Sequence, residues 1–252
     1  MQRGRQGGRA LPRPRLSEAV VEELAAEIIG GESPPGSALP TEPQLSARFG
    51  VSRTVIRDAM AQLARSGLVN VRQGVGTVVL DREQWHELDP MLLRIRAARG
   101  LIGDLVPDLL AIRRLVEIEV AGQAACRRTE QDLAMMAELL EQMDAHLEQP
   151  ALYNDADIAF HNALLAATGN DLLLQLMRPV NELRRIGSVI TSSRAHDIVL
   201  ASVAGHHAIF DAVNMQDADA ARAAMEQHVA EFERDLLRAV DRETNIGEGA
   251  GR

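Results

Sequence analysis

Residues 39–80 read LPTEPQLSARFGVSRTVIRDAMAQLARSGLVNVRQGVGTVVL, and their local signals set the fold of the first third of the chain. Thr41 and Gln44 have the T-x-x-Q spacing of a capping box. Pro43 falls inside the first turn, where a missing N–H matters least, so a short helix should run to Phe49 and close at Gly50. Ser52 can cap a further helix over Arg53–Ser66, on which Ile56, Met60 and Leu63 form an apolar stripe while Arg53, Thr54 and Arg57 fall on the other side. Two short extended runs, Leu68–Arg72 and Thr77–Leu80, flank Gln73-Gly74-Val75-Gly76, a connection of hairpin length.

Upstream, Ser17 can cap a helix carrying Val20, Val21, Leu24 and Ile28, which Gly30-Gly31 ends. Three helices followed by a hairpin is the order of a winged helix-turn-helix, assigned here to residues 16–80. Arg53 and Arg57 stand four apart on the solvent side of their helix, so both can enter a DNA major groove, where Arg pairs bidentately with guanine O6 and N7. Ser52 and Thr54 at the helix N-terminus can hold a phosphate together with free backbone N–H groups. Gln73 and Gly74, at the hairpin tip, are placed to reach the adjacent minor groove.

The charge of the chain agrees with that division. The formal net charge is -9, but residues 1–80 carry 10 Arg against 7 acidic residues, a net +3, whereas residues 81–252 carry 17 Arg against 29, a net -12. A basic first third meets phosphates; an acidic remainder needs a different partner. Residues 1–15 mix Gly, Pro and Arg without periodicity and predict a disordered basic arm, able either to touch phosphates or to stay solvated. The single cysteine, Cys126, is expected to be a buried thiol with no disulfide. No run approaches the roughly 20 apolar residues of a membrane span, and the basic start lacks the apolar segment of a secretory signal. A cytoplasmic, nucleoid-associated protein is expected.

Residues 81–90, DREQWHELDP, are polar and predict a linker that docks through Trp85. Beyond them the pattern is helical in seven segments, near 91–99, 104–126, 130–148, 152–168, 170–190, 195–214 and 217–240, so residues 91–241 should form an antiparallel bundle and 242–252 a disordered tail. The fold class is therefore mostly α. Asp157 and His161 lie one helical turn apart on one face, a spacing that suits two ligands to one ion. His206 and His228 each sit on an otherwise apolar stripe of a later helix. Three imidazoles and one carboxylate form an N/O site for a divalent metal ion, with Zn²⁺ the first candidate and Ni²⁺, Mn²⁺ or Fe²⁺ also fitting, and with positions left open for water or a ligand carboxylate. His207 faces about 100° away from His206 and is the weaker candidate. His86, His146 and His196 have no such company.

Residues 39–80 resemble the winged helix of the GntR family of bacterial regulators. The resemblance rests on V-S-R-T-V-I-R-D-A at Val51–Ala59, L-x-x-x-G-L-V at Leu63–Val69 and G-x-G-T at Gly74–Thr77. It implies DNA contacts by Ser52, Arg53, Thr54, Arg57, Gln73 and Gly74. One position departs: many relatives carry Arg in an E-R-E run where this chain has Glu42-Pro43-Gln44, so one DNA contact should be absent and the operator should differ. Residues 91–240 resemble the FCD effector domain of the FadR branch, through Asp157–His161, the A-x-x-G-N at Ala166–Asn170, His206 and His228. In L-L-A-I-R-R-L-V-E, Arg113 matches a position where that family often places an Arg that meets an effector carboxylate. Arg114, Arg184 and Arg185 are alternatives, and a salt bridge to Glu117 is the other reading of Arg113. The lead-in W-H-E-L-D-P at Trp85–Pro90 is similar to that of relatives answering to sugar acids such as galactonate.

What the resemblance implies is a homodimer on a palindromic operator, a repressor of a catabolic operon released by a small carboxylate or sugar acid. The competing reading is a metal-dependent hydrolase-like domain fused to a DNA-binding module, since such a site can activate water. No second acid or base accompanies the four ligands in the sequence, which favours a regulator over an enzyme.

Overall fold

The computed structural model describes residues 13–72, 76–191 and 195–249. They divide into two compact units, Met1–Leu101 and Ile102–Arg252.

The first unit opens with α1 (Arg13–Ile29), followed by α2 (Glu42–Phe49), α3 (Arg53–Arg65), β1 (Val69–Arg72), β2 (Gly76–Val79) and α4 (Pro90–Ala98). The α2 capping box forms as expected: Gln44 Oε1 accepts from both the backbone N–H and the hydroxyl of Thr41 at 2.8 Å. The tight turn between α2 and α3 depends on Gly50, whose φ of 65° is costly for other residues. Ser52 caps α3 by accepting from the N–H of Val55. β1 and β2 pair antiparallel from Val69↔Val79 to Arg72↔Gly76. A third extended segment joins them, with Leu39 donating its N–H to the Thr77 carbonyl. Leu24, Ile28, Leu45, Ile56, Leu63 and Leu68 fill the core beneath.

Three expectations change here. Helix α1 starts at Arg13 rather than after Ser17, within the stretch assigned to the basic arm. Ser17 is a buried helical residue that accepts from Gln62 Nε2 at 3.5 Å, not a cap. Residues 81–90 dock through Trp85 as expected, but they do not end the first unit. Trp85 is buried in the first core and donates its indole N–H to Leu80 O at 2.9 Å, and His86 N–H donates to Ser66 O. Gly67, at φ 72°, lies so close beneath this segment that a Cβ would fall 2.2 Å from the Gln84 carbonyl oxygen. The chain then continues into α4, whose Leu92 and Ile95 join the same core, so the unit extends to Leu101 where the sequence drew its boundary at 91. Apolar burial outweighed the polar composition of the connection.

The second unit contains α5 (Val106–Arg127), α6 (Glu130–Ala145), α7 (Pro150–Ala167), α8 (Asp171–Leu176), α9 (Arg178–Thr191), α10 (Ala195–Asn214) and α11 (Ala218–Gly249). α5 packs on α7, α9, α10 and α11, α6 on α7 and α10, around Met136, Met143, Phe160, Leu164, Ile209, Met225 and Val229. Among the described residues this unit again has seven helices, with different members. α4 belongs to the first unit, and the single helix expected over 170–190 is two, because Pro179 is tolerated only in the opening turn of a helix. α11 runs to Gly249, past residue 242 where a tail was expected; residues 241–246 contain neither Pro nor Gly to stop it. Cys126 is exposed near the end of α5 rather than buried. No helix among the described residues is long and apolar enough to cross a membrane.

Candidate functional site

Two sets of polar residues stand out, one exposed on α3 and one buried in the bundle. On α3, burial of Val55, Ile56, Ala59, Met60 and Leu63 leaves Ser52, Arg53, Thr54 and Arg57 exposed. The side chain of Arg57 is 69% exposed, and its Nε donates to both carboxylate oxygens of Glu42 at 3.1 and 2.9 Å. As an exposed ion pair this adds little stability. Its consequence is geometric: Nε is occupied and the guanidinium plane is held, while the two terminal nitrogens remain available as a fork. The sequence noted only what Glu42-Pro43-Gln44 removes; Glu42 also supplies a brace. Gln73 and Gly74 lie outside the described residues.

The buried set is the one expected. Asp157 and His161 come from α7, His206 from α10 and His228 from α11, all four buried, with one ligand atom each lying within 4.8 Å of all the others. His206 Nε2 is 2.8 Å from Asp157 Oδ1 and 3.3 Å from His161 Nε2. Ligands about 2.1 Å from a common ion would be separated by roughly 3.0–3.4 Å, so these gaps are of the right size. Phe160 meets the rings of His161 and His206 edge-on and limits their rotation. His228 backs onto Gly205, where a Cβ would fall 2.8 Å from Nδ1, so only glycine lets α10 and α11 close around this ring. A groove of about 230 Å³, lined by Gly205, Ala208, Ala224, Gln227 and His228 among others, reaches the cluster between those two helices.

Whether these residues fit a metal ion can be tested on their unpaired atoms. Both nitrogens of His228 and the Nδ1 of His206 are buried without a hydrogen-bond partner. An unsatisfied buried nitrogen costs about 1–3 kcal/mol, a penalty that coordination through one His228 nitrogen would relieve. Burial, reinforced by the Arg184 charge, holds His161 well below the ordinary histidine value; burial and the His206 ring do the same to His228. Burial alone would raise the Asp157 carboxyl, but the hydrogen bond from His206 and the charges of His206 and Arg184 hold it below the usual carboxylate range. Neutral His161 and His228 beside an ionised Asp157 are the protonation states that coordination requires of them. The residues fit a divalent ion.

Arg113 is buried against the same cluster, and it forms the salt bridge to Glu117 that was its other reading. Its Nε donates to Glu117 Oε2 at 3.1 Å, its guanidinium lies 4.3 Å from the Phe232 ring centroid, and its Nη1 is buried with no acceptor. Arg184 reaches Glu117 from α9, donating through Nη2 to both carboxylate oxygens at 2.6 and 2.7 Å, and its Nε lies 3.6 Å from Asp157 Oδ2. Glu117 Oε2 is also 3.4 Å from His161 Nδ1. Arg114 and Arg185 instead pair at the surface or rim with Glu233 and Asp155. His207 faces Asp144, and His86 is exposed. Beyond the expected set the structure adds Glu117 as a bridge and Tyr153, one turn before Asp157, whose buried hydroxyl is pushed up by burial and by the Asp157 charge. The i+4 spacing of Arg113 with Glu117 and of Tyr153 with Asp157 carried that information, but an apolar helix face alone does not say which polar residues it hides.

The comparisons with known proteins agree with this layout. The profile described as "Bacterial regulatory proteins, gntR family" matches residues 16–79, and the FCD domain profile matches residues 108–231. The chain is 32% identical over 220 residues to the galactonate operon transcriptional repressor of Escherichia coli, spanning 87% of this chain and 96% of that protein. It is 34% identical over 211 residues to the HTH-type transcriptional regulator LutR of Bacillus subtilis, spanning 82% and 94%. A solved structure described as "Lar controls the expression of the Listeria monocytogenes agr system and mediates virulence" shares the fold at a TM-score of 0.65 and 20% identity, covering 92% of this chain and 99% of that one. The matched proteins are transcription regulators rather than enzymes. The chain therefore belongs to the GntR family of bacterial regulatory proteins, as a member whose helical second domain is an FCD domain.

Proposed function

We propose that this protein is a repressor of a catabolic operon that binds a palindromic operator in the bacterial cytoplasm as a homodimer and is released by a small carboxylate or sugar acid. The observation that carries this reading is the buried cluster of Asp157, His161, His206 and His228 beside the spare donor of Arg113. A divalent ion, Zn²⁺ first, bound by those four residues would supply a Lewis-acid seat for one carboxylate oxygen. Arg113 Nη1 offers a donor for the other. The names of the relatives support a hydroxylated acid as effector. Ser52 and Thr54 would contact phosphates, and Arg53 and Arg57 would read bases, with Gln73 and Gly74 in the adjacent minor groove. Release requires the acid to bind the free protein more tightly than the DNA-bound one.

The test is a footprint on the DNA upstream of the chain's own gene, repeated with a panel of sugar acids and hydroxy acids. Protection of a palindrome with two half-sites about one helical turn or less apart is expected, weakened by one acid of the panel. An asymmetric footprint, or one that no acid alters, would count against the reading.

A further inference from the structure

Glu117 touches both buried arginines and one histidine of the buried cluster. It accepts from Arg113 Nε and from Arg184 Nη2, and the same Oε2 that meets Arg113 lies 3.4 Å behind His161 Nδ1. Its side chain is 3% exposed, so no solvent shares the load. Within this network two guanidinium groups face two carboxylates, Glu117 and Asp157. Without Glu117 the same cavity would hold two fixed cations against one anion. In a low-dielectric interior a unit charge at these distances affects every other ion in the cavity strongly, and it acts with opposite sign on a cation and on an anion.

From this we infer that Glu117 is a positioning residue and internal counter-anion: it favours a divalent cation at the histidine cluster and holds back the affinity of the arginine pair for an anionic ligand. The inference rests on the metal-centred reading proposed above. Two effects act together. The carboxylate lies 3.4 Å from His161 Nδ1, where its charge favours the proton on that nitrogen and leaves Nε2 free toward Asp157 and His206, the role outer-shell carboxylates play for ligating histidines. It also occupies Arg113 and Arg184 with an acid supplied by the chain itself, so an incoming carboxylate must share donors that are already engaged. The pocket is thus set to take the cation first and the anion second.

Zn²⁺ titrated into metal-stripped protein, and L-lactate titrated into zinc-loaded protein, test this on the full chain. Glu117→Gln keeps the size and loses the charge; Zn²⁺ affinity should fall 10- to 100-fold, the usual loss for an outer-shell partner, while L-lactate affinity rises several-fold. A residue that merely packs the core would lower both. Arg113→Gln, which keeps Glu117 paired to Arg184, removes a cation instead and should tighten Zn²⁺. It carries the test if Glu117→Gln fails to fold. A joint fall of both affinities in Glu117→Gln, unchanged Zn²⁺ binding there, or weaker Zn²⁺ binding in Arg113→Gln overturns the inference. Wild-type protein that takes up no Zn²⁺ overturns the metal-centred reading itself, a different result from a wild type that binds normally and a variant that does not differ from it.

Discussion

Arg57→Ala should erase the preference for the operator over random DNA while leaving the fold and the residual, salt-sensitive binding in place. A bidentate Arg–guanine contact contributes about 1–3 kcal/mol of discrimination, and a dimer on a palindrome would use it twice, so the specific complex should weaken by roughly two to four orders of magnitude. The fold is not at risk: Arg57 is exposed on α3, opposite Ile56, Met60 and Leu63, and its pairing with Glu42 is a surface contact. The variant also leaves the Glu42 carboxylate facing the phosphates unpaired, which adds repulsion. Anisotropy with operator and scrambled DNA across a salt series measures both quantities. If the operator keeps its advantage, Arg57 does not read bases.

His206→Ala should reduce metal content, read by elemental analysis, from near one ion per chain to background. The loss in affinity should exceed the 10- to 100-fold that removal of an outer-shell partner costs, because His206 Nε2 sits between Asp157 and His161. The substitution also strands a buried carboxylate, so the metal-free variant should lose stability by about 1–3 kcal/mol relative to metal-free wild type. His206→Gln separates the two effects: an amide can still donate to Asp157 but ligates poorly, so stability should recover while metal content stays low. Equal metal occupancy in wild type and both variants would dismiss the cluster as a metal site.

The winged helix was readable almost to the residue because its signals are local. The Thr41–Gln44 box, the Gly50 turn and the Ser52 cap act within four or five positions, and the structure reproduces each of them. The buried His/Asp cluster was readable because a histidine on an apolar stripe is conspicuous and the turn-apart spacing of Asp157 and His161 is a helix property. What escaped the sequence was tertiary. The docking of Trp85 was expected, but not that α4 would add Leu92 and Ile95 to the same core, which moved the domain boundary to Leu101. Ser17 has a capping side chain, but Gln62, 45 residues away, offered it a half-buried partner instead. Arg184 and Glu117 are 67 residues apart, and nothing in their neighbours says that they meet. Cys126 was misplaced for a simpler reason: cysteine is most often buried, and this one lies on the solvent side near the end of α5.

Dependence of operator binding on both metal and acid tests the central claim most directly. Operator affinity is to be measured for zinc-loaded and metal-stripped protein, each with and without every acid of the panel. The account predicts at least one acid that weakens the zinc-loaded complex tenfold or more and leaves the metal-stripped complex within about twofold, a coupling free energy within the usual 1–3 kcal/mol range. An acid that releases both forms equally would show that the buried cluster has no part in the response, and a zinc-loaded protein indifferent to the whole panel would contradict the proposed effector class.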